Sequence, residues 1–102
     1  MDIVSEGPTL LLGGEFDVRC TGDVRRALYE QLAMHQSHLV VDLSGVVAID
    51  VTALKVLAVA SREANRRGGH LTLRGCGPHV MRMLHMTRLI RLVEVERTPV
   101  PA

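Results

Sequence analysis

HLVVDLSGVVAIDVTALKVL (residues 38–57) is the stretch that decides the fold. Its first part, HLVVDLSG (38–45), is a continuous apolar run ended by Ser44-Gly45, which predicts a strand covered on both faces. Beyond it, Leu54, Leu57, Ala58, Ser61 and Ala64 recur at helical spacing and predict a helix over 52–67. Arg66 and Arg67 suit the negative end of that helix dipole, and Gly68-Gly69 supplies its stop. Strand followed at once by helix is the rhythm of parallel α/β architecture.

The rhythm extends in both directions. Upstream, TLLLGGEFDV (9–18) starts as an apolar strand and turns polar after Gly13-Gly14, with MDIV as a weak strand before it. GDVRRALYEQLAM (22–34) places Val24, Ala27, Leu28, Gln31 and Leu32 along one helical face, with Thr21 as N-cap and Arg26–Glu30 as an i,i+4 pair. Downstream, HLTLRG (70–75) alternates as a half-buried strand, and Pro78 at a first helical position opens a helix to about Met86. LIRLVEVE (89–96) reads as a last strand, with a loose tail at 98–102. The expected fold is an α/β single domain spanning 1–97. Its central mixed β-sheet has four to five strands, an antiparallel edge and packed amphipathic helices.

Composition narrows the function. The chain has 102 residues, enough for one hydrophobic core and too few for two. Aromatics are only 2%, so the core rests on aliphatic residues and no base-stacking platform is available. A net charge of +1 offers no general field for nucleic acid or an anionic membrane. The longest mostly apolar window, Val51 to Ala60, is about half a membrane span and contains Lys55. MDIVSEGP shows no secretory pattern, and Cys20 and Cys76 read as free thiols of a cytosolic protein. No nucleic-acid partner and no membrane insertion are expected.

The usual signs of catalysis are missing. His35, His38, His70, His79 and His85 do not fall at metal-ligand spacing, and no phosphate loop, dinucleotide fingerprint or nucleophile elbow is present. Cys76 precedes a helix start, where a thiolate gains stability, but it reads as a structural thiol. Met81, Met83 and Met86 read as core beside Val80 and Leu84 rather than as an adaptable surface. A phospho-receiver built on Asp42 or Asp50 lacks an early acidic pair and a lysine after the last strand. The expectation is a protein that is not an enzyme and has no cofactor.

One pair remains, Asp50 and Thr52. As punctuation, Asp50 caps the helix and Thr52 is an ordinary first-turn residue. As a site, the same geometry exposes a hydroxyl where helix N–H groups and the dipole favour phosphate. A phosphate there would leave the helix intact while adding up to about two negative charges. Both readings stay open on the residues alone.

Three segments carry a resemblance. GGEFDVRCTGDVRRAL (13–28), HLVVDLSGVVAIDVTALKVL (38–57) and RRGGHLTLRGCGPHVMRMLHMTRLIRLVEV (66–95) resemble, in order, the segments of STAS domains. They are most similar to the small free-standing bacterial anti-sigma factor antagonists. In that family the second hydroxyl residue of D-S-S-G-L is phosphorylated by a kinase that is itself the anti-sigma factor. Alignment with Asp50-Val51-Thr52-Ala53-Leu54 puts Thr52 on the phosphoacceptor. Asp17, Asp50, Val51, Ala53 and Leu54 then fall on the partner-binding face. Val51 stands for the first serine and Ala53 for the glycine, which adds a methyl in the motif.

The resemblance implies a cytoplasmic antagonist that binds an anti-sigma factor with serine/threonine kinase activity and releases a sigma factor. Phosphorylation of Thr52 would switch it off and a phosphatase would restore it, with ATP and Mg belonging to the partner kinase. A monomer or weak dimer is expected. Its rival is a STAS scaffold, or a subunit of a signalling or transport assembly, in which Thr52 is never modified.

Overall fold

A computed structural model describes residues 1–35 and 38–96; the tail expected at 98–102 lies outside them. Five strands, β1 (Asp2–Glu6), β2 (Thr9–Phe16), β3 (His38–Ile49), β4 (His70–Arg74) and β5 (Glu94–Val95), form one sheet in that order. The β1–β2 pair is antiparallel and the other three pairs are parallel. Helices α1 (Thr21–Met34), α2 (Val51–Arg66) and α3 (Pro78–Met86) make the crossovers, as the alternating sequence predicts. Short 3-10 turns cover Val18–Cys20 and Leu89–Arg91.

Parallel strands that follow in chain order, joined by right-handed crossovers, receive all their helices on one face. The burial pattern agrees. Leu10, Leu12 and Phe16 of β2, Leu39, Val41 and Leu43 of β3, and Leu71 and Leu73 of β4 are buried. Val24, Leu28 and Leu32 of α1 and Leu54, Leu57, Ala60 and Ala64 of α2 complete the core. Residues of opposite parity, among them Leu11, Val40, Asp42, Thr72 and Arg74, are only half-buried. The expectation that β3 is covered on both faces is therefore corrected: helices cover one face only.

The strand also runs further than the sequence suggested. Gly45 reads as its end, yet β3 continues to Ile49. Gly45 is a point of close approach instead. A Cβ there would stand 3.2 Å from the Leu12 carbonyl oxygen and 3.3 Å from the Gly13 Cα, beside two shifts in the β2–β3 register. The pairing with β4 stops at Asp42, so the last seven residues of β3 overhang β4 and pair with β2 alone. That overhang carries the chain out to the start of α2.

Smaller corrections follow from local hydrogen bonding. Thr21 is the first residue of α1 rather than its cap, and its hydroxyl donates to the Val18 carbonyl at 3.0 Å. The 3-10 turn runs straight into the helix and takes its own cap from Asp17. Arg26 and Glu30 form no ion pair among the described residues. The strand expected over 89–96 shrinks to Glu94–Val95, because Arg88 turns left-handed (φ 63°) and Leu89–Arg91 coils. Leu89, Ile90 and Val93 pack against the core from that coil. Of the three methionines, Met81 and Met83 lean on the core while Met86 is 75% exposed, against its expected burial. The stop of α2 is as read, with Gly68 at φ 82°.

Candidate functional site

The carboxyl ends of β2 and β3 meet at the start of α2, and Asp50 holds them together. Its Oδ1 accepts the Ala53 N–H at 2.8 Å, which caps the helix. Its Oδ2 accepts the Val18 N–H at 3.2 Å, and its own N–H donates to the Phe16 carbonyl at 3.3 Å. One aspartate thus joins the end of β2, the turn after it and the first turn of α2. Ligand sites of open α/β sheets gather at this edge, the carboxyl ends of the strands.

Thr52 is the second residue of α2 and is exposed. Among the described residues, the N–H groups of Val51 and Thr52 find no protein acceptor, whereas those of Ala53 and Leu54 bond to Asp50. An anion on the Thr52 hydroxyl would therefore lie by free donors at the positive end of the helix dipole.

Asp17 lies across the β2 end from this helix start. It caps the 3-10 turn by accepting the Arg19 N–H at 2.9 Å, and it pairs with the Arg19 guanidinium at 2.7 Å. That guanidinium also reaches Glu15 at 3.2 Å. The Arg19 side chain and amide hold the Asp17 carboxyl below its ordinary 3.8. Asp17 thus presents an ion pair and not a bare carboxylate.

Two expected partner contacts are corrected. Ala53 and Leu54 are both 0% exposed and belong to the core, so neither side chain offers a partner any surface. The reason is helical phase, since positions 53, 54, 57, 60 and 64 all point at the sheet. The Ala53 methyl, which stands in place of the family's glycine, is accordingly absorbed inside and obstructs nothing outside.

Sequence reasoning missed two other residues. Val18 is 62% exposed and Val47 is 77% exposed; Val18 and Val51, the latter at 38%, flank Asp50, and Val47 stands out on the overhang of β3. Val47 is three residues back from Asp50 along β3, about 10 Å at strand rise. Exposed aliphatic residues clustered around a charged point mark a protein-docking surface better than scattered ones do. The signal was the apolar run GVVAI itself, read past Gly45 as strand.

Away from this edge, Asp42 is locked on the uncovered face. It accepts from the Ser44 hydroxyl and amide and pairs with Arg74, its neighbour on β4, at 2.9 Å. Burial works to raise its carboxyl, but Ser44 and Arg74 outweigh burial and hold it below 3.8. Cys76 is pushed up to about 11 by burial and by Asp42, as suits a structural thiol. Among the described residues no three His, Cys, Asp or Glu side chains converge as a metal site would require. Nor is any described helix long and apolar enough to cross a membrane.

A family model described as "Mlab, STAS domain" matches residues 1–94. The chain belongs to the STAS domain family. None of the curated proteins matches it. Among solved structures, this STAS domain is similar to an anti-sigma factor antagonist from Mycobacterium paratuberculosis. The two are 23% identical over 95% of this chain and 84% of that one, with a TM-score of 0.76. It is also similar to the anti-sigma factor antagonist SpoIIAA of Bacillus in its unphosphorylated form, at 13% identity over 95% and 87%, TM-score 0.67. A sulfate transporter family protein from Wolinella succinogenes matches at 19% identity over 90% and 79%, again with a TM-score of 0.67. At these identities the likeness is one of fold.

Proposed function

We propose that this STAS domain is an anti-sigma factor antagonist that works by docking rather than by catalysis. Its docking face comprises Val18, Val47, Val51, Asp50 and Thr52, with the Asp17–Arg19 pair at its margin. The partner is an anti-sigma factor with serine/threonine kinase activity, which supplies ATP and Mg and gives up its sigma factor on docking. Phosphorylation of Thr52 by that partner ends docking, and a phosphatase restores it, all within the cytoplasm.

The observation that carries this reading is an exposed hydroxyl in the first turn of a capped helix, with the exposed aliphatic side chains of Val18 and Val51 beside the cap. A phosphate there brings about −1.5 to −2 charge into a surface that docking must dehydrate. A loss of 100-fold in affinity needs only about 2.8 kcal/mol, within reach of such a desolvation cost. The shared fold with SpoIIAA, solved in both unphosphorylated and phosphorylated forms, supports the same reading.

A second reading has one observation in its favour. The Wolinella succinogenes sulfate transporter family protein shares this fold, so a subunit of a transport or signalling assembly could carry the same docking face with Thr52 unmodified. Intact mass and phosphosite mapping of the protein from its own cells, with Thr52→Ala as control, separates the two. A phosphate on Thr52 that is absent from the variant supports the switch. An unmodified chain under both growth and stress sinks the switch and leaves the scaffold.

A further inference from the structure

Thr52 opens onto a groove of about 340 Å³ between α1 and α2. Arg25 and Tyr29 of α1 and Lys55 and Val59 of α2 line it with Thr52. Among the described residues, Arg25 and Lys55 have no acidic partner, as is also true of Arg26, Arg62, Arg82, Arg88 and Arg91, but only these two line the groove with Thr52. Two unanswered cations therefore share one groove with a hydroxyl.

We propose that this groove receives the phosphate of phosphorylated Thr52 and that Lys55 and Arg25 clamp it within the same chain, beside Tyr29 in the groove wall. The proposal rests on the reading of Thr52 as phosphoacceptor. Transfer forms the Thr52 Oγ1–phosphorus bond, breaks the bond from the ATP γ-phosphorus to its bridging oxygen, and releases ADP and the hydroxyl proton. Lys55 is three residues along from Thr52, so their Cβ atoms stand about 5–6 Å apart on one face. Arg25 approaches from α1, across the groove. The titratable groups about the phosphate are then Arg25, Tyr29 and Lys55, with Asp50 at the cap turned to the Val18 and Ala53 amides.

The clamp separates two faces of one helix turn. Consecutive helical residues point about 100° apart, so Thr52 addresses the groove while Val51 turns away from it. Phosphorylation would then also tie α1 to the start of α2 through a bridging dianion.

Phosphothreonine placed at position 52 by genetic encoding tests this without any kinase. In a ³¹P NMR titration its second ionisation should fall below the ordinary value of about 6 by about one unit. Arg25→Gln and Lys55→Gln should each bring it back towards the ordinary value. Lys55→Arg should keep the shift, and so should Arg82→Gln, which removes an exposed cation on α3. Equal ionisation in the parent, Arg25→Gln and Lys55→Gln proteins would overturn the clamp. So would an equal change in Arg82→Gln, which would show only the mean charge of the protein. An unmodified Thr52 in the cell beside a shifted phosphate in the titration would sink the switch and spare the groove, so the two failures are distinguishable.

Discussion

From Val40 to Asp42, β3 has a hydrogen-bonded neighbour on each side; from Leu43 to Ile49 it has β2 alone. The first part ends at an aspartate locked by the Ser44 hydroxyl and amide and by the Arg74 side chain, and the second leads to an aspartate held by backbone groups alone, at residues 16, 18 and 53. Where the strand is flanked, its residues are spent on cohesion. Where it overhangs, the same strand can present Val47 to the outside without loosening the sheet. On the docking face proposed here, stability and recognition are thus divided along one element.

The division can be broken most forcefully at its two extremes. Leu39→Ala, in the flanked part and 0% exposed, should cost about 2–5 kcal/mol in chemical denaturation. Val47→Ser, in the overhang, should stay within about 0.5 kcal/mol of the parent while weakening capture of the partner. A large stability loss at Val47 would erase the contrast. Next in size is Asp42→Asn, which should cost about 1.5 kcal/mol near neutral pH by weakening charge-assisted hydrogen bonds. Because the folded Asp42 carboxyl lies below 3.8, its contribution is present above that pH and fades as pH falls through the folded value. Melting curves of parent and Asp42→Asn should therefore converge in acid, below about pH 4. Asp50→Ala sharpens the comparison from the other end, at about 1 kcal/mol for the lost cap. Its particular signature should be faster hydrogen exchange at both Val18 and Ala53, whose amides it binds.

Much of this was legible beforehand, for physical reasons. Helix α2 announced itself by a long 3.6-residue pattern and a double-glycine stop, and Asp50 by its place just before that pattern. The exposure of Thr52 was legible because a helix start fixes which hydroxyl faces out. The overhang was not, since Gly45 marks a close approach to β2 that depends on a strand distant in sequence. With the strand cut short at Gly45, the exposure of Val47 was hidden. Ala53 and Leu54 were assigned to the surface by position in a motif, and their helical phase overrules that. The last strand failed for a related reason: Leu89, Ile90 and Val93 are apolar because they pack against the core, which a coil achieves as well as a strand.

The brace at Asp50 has a consequence for how such a domain diversifies. At position 18 it uses the main-chain amide and leaves the side chain free. Any residue but proline preserves that bond, so on the docking face proposed here successive lineages can exchange the side chain and retune which partner is recognised. The scaffold need not be repaired after each change. A paralogue can therefore acquire a new allegiance by single substitutions at 18, and the cost of exploring them falls on recognition alone.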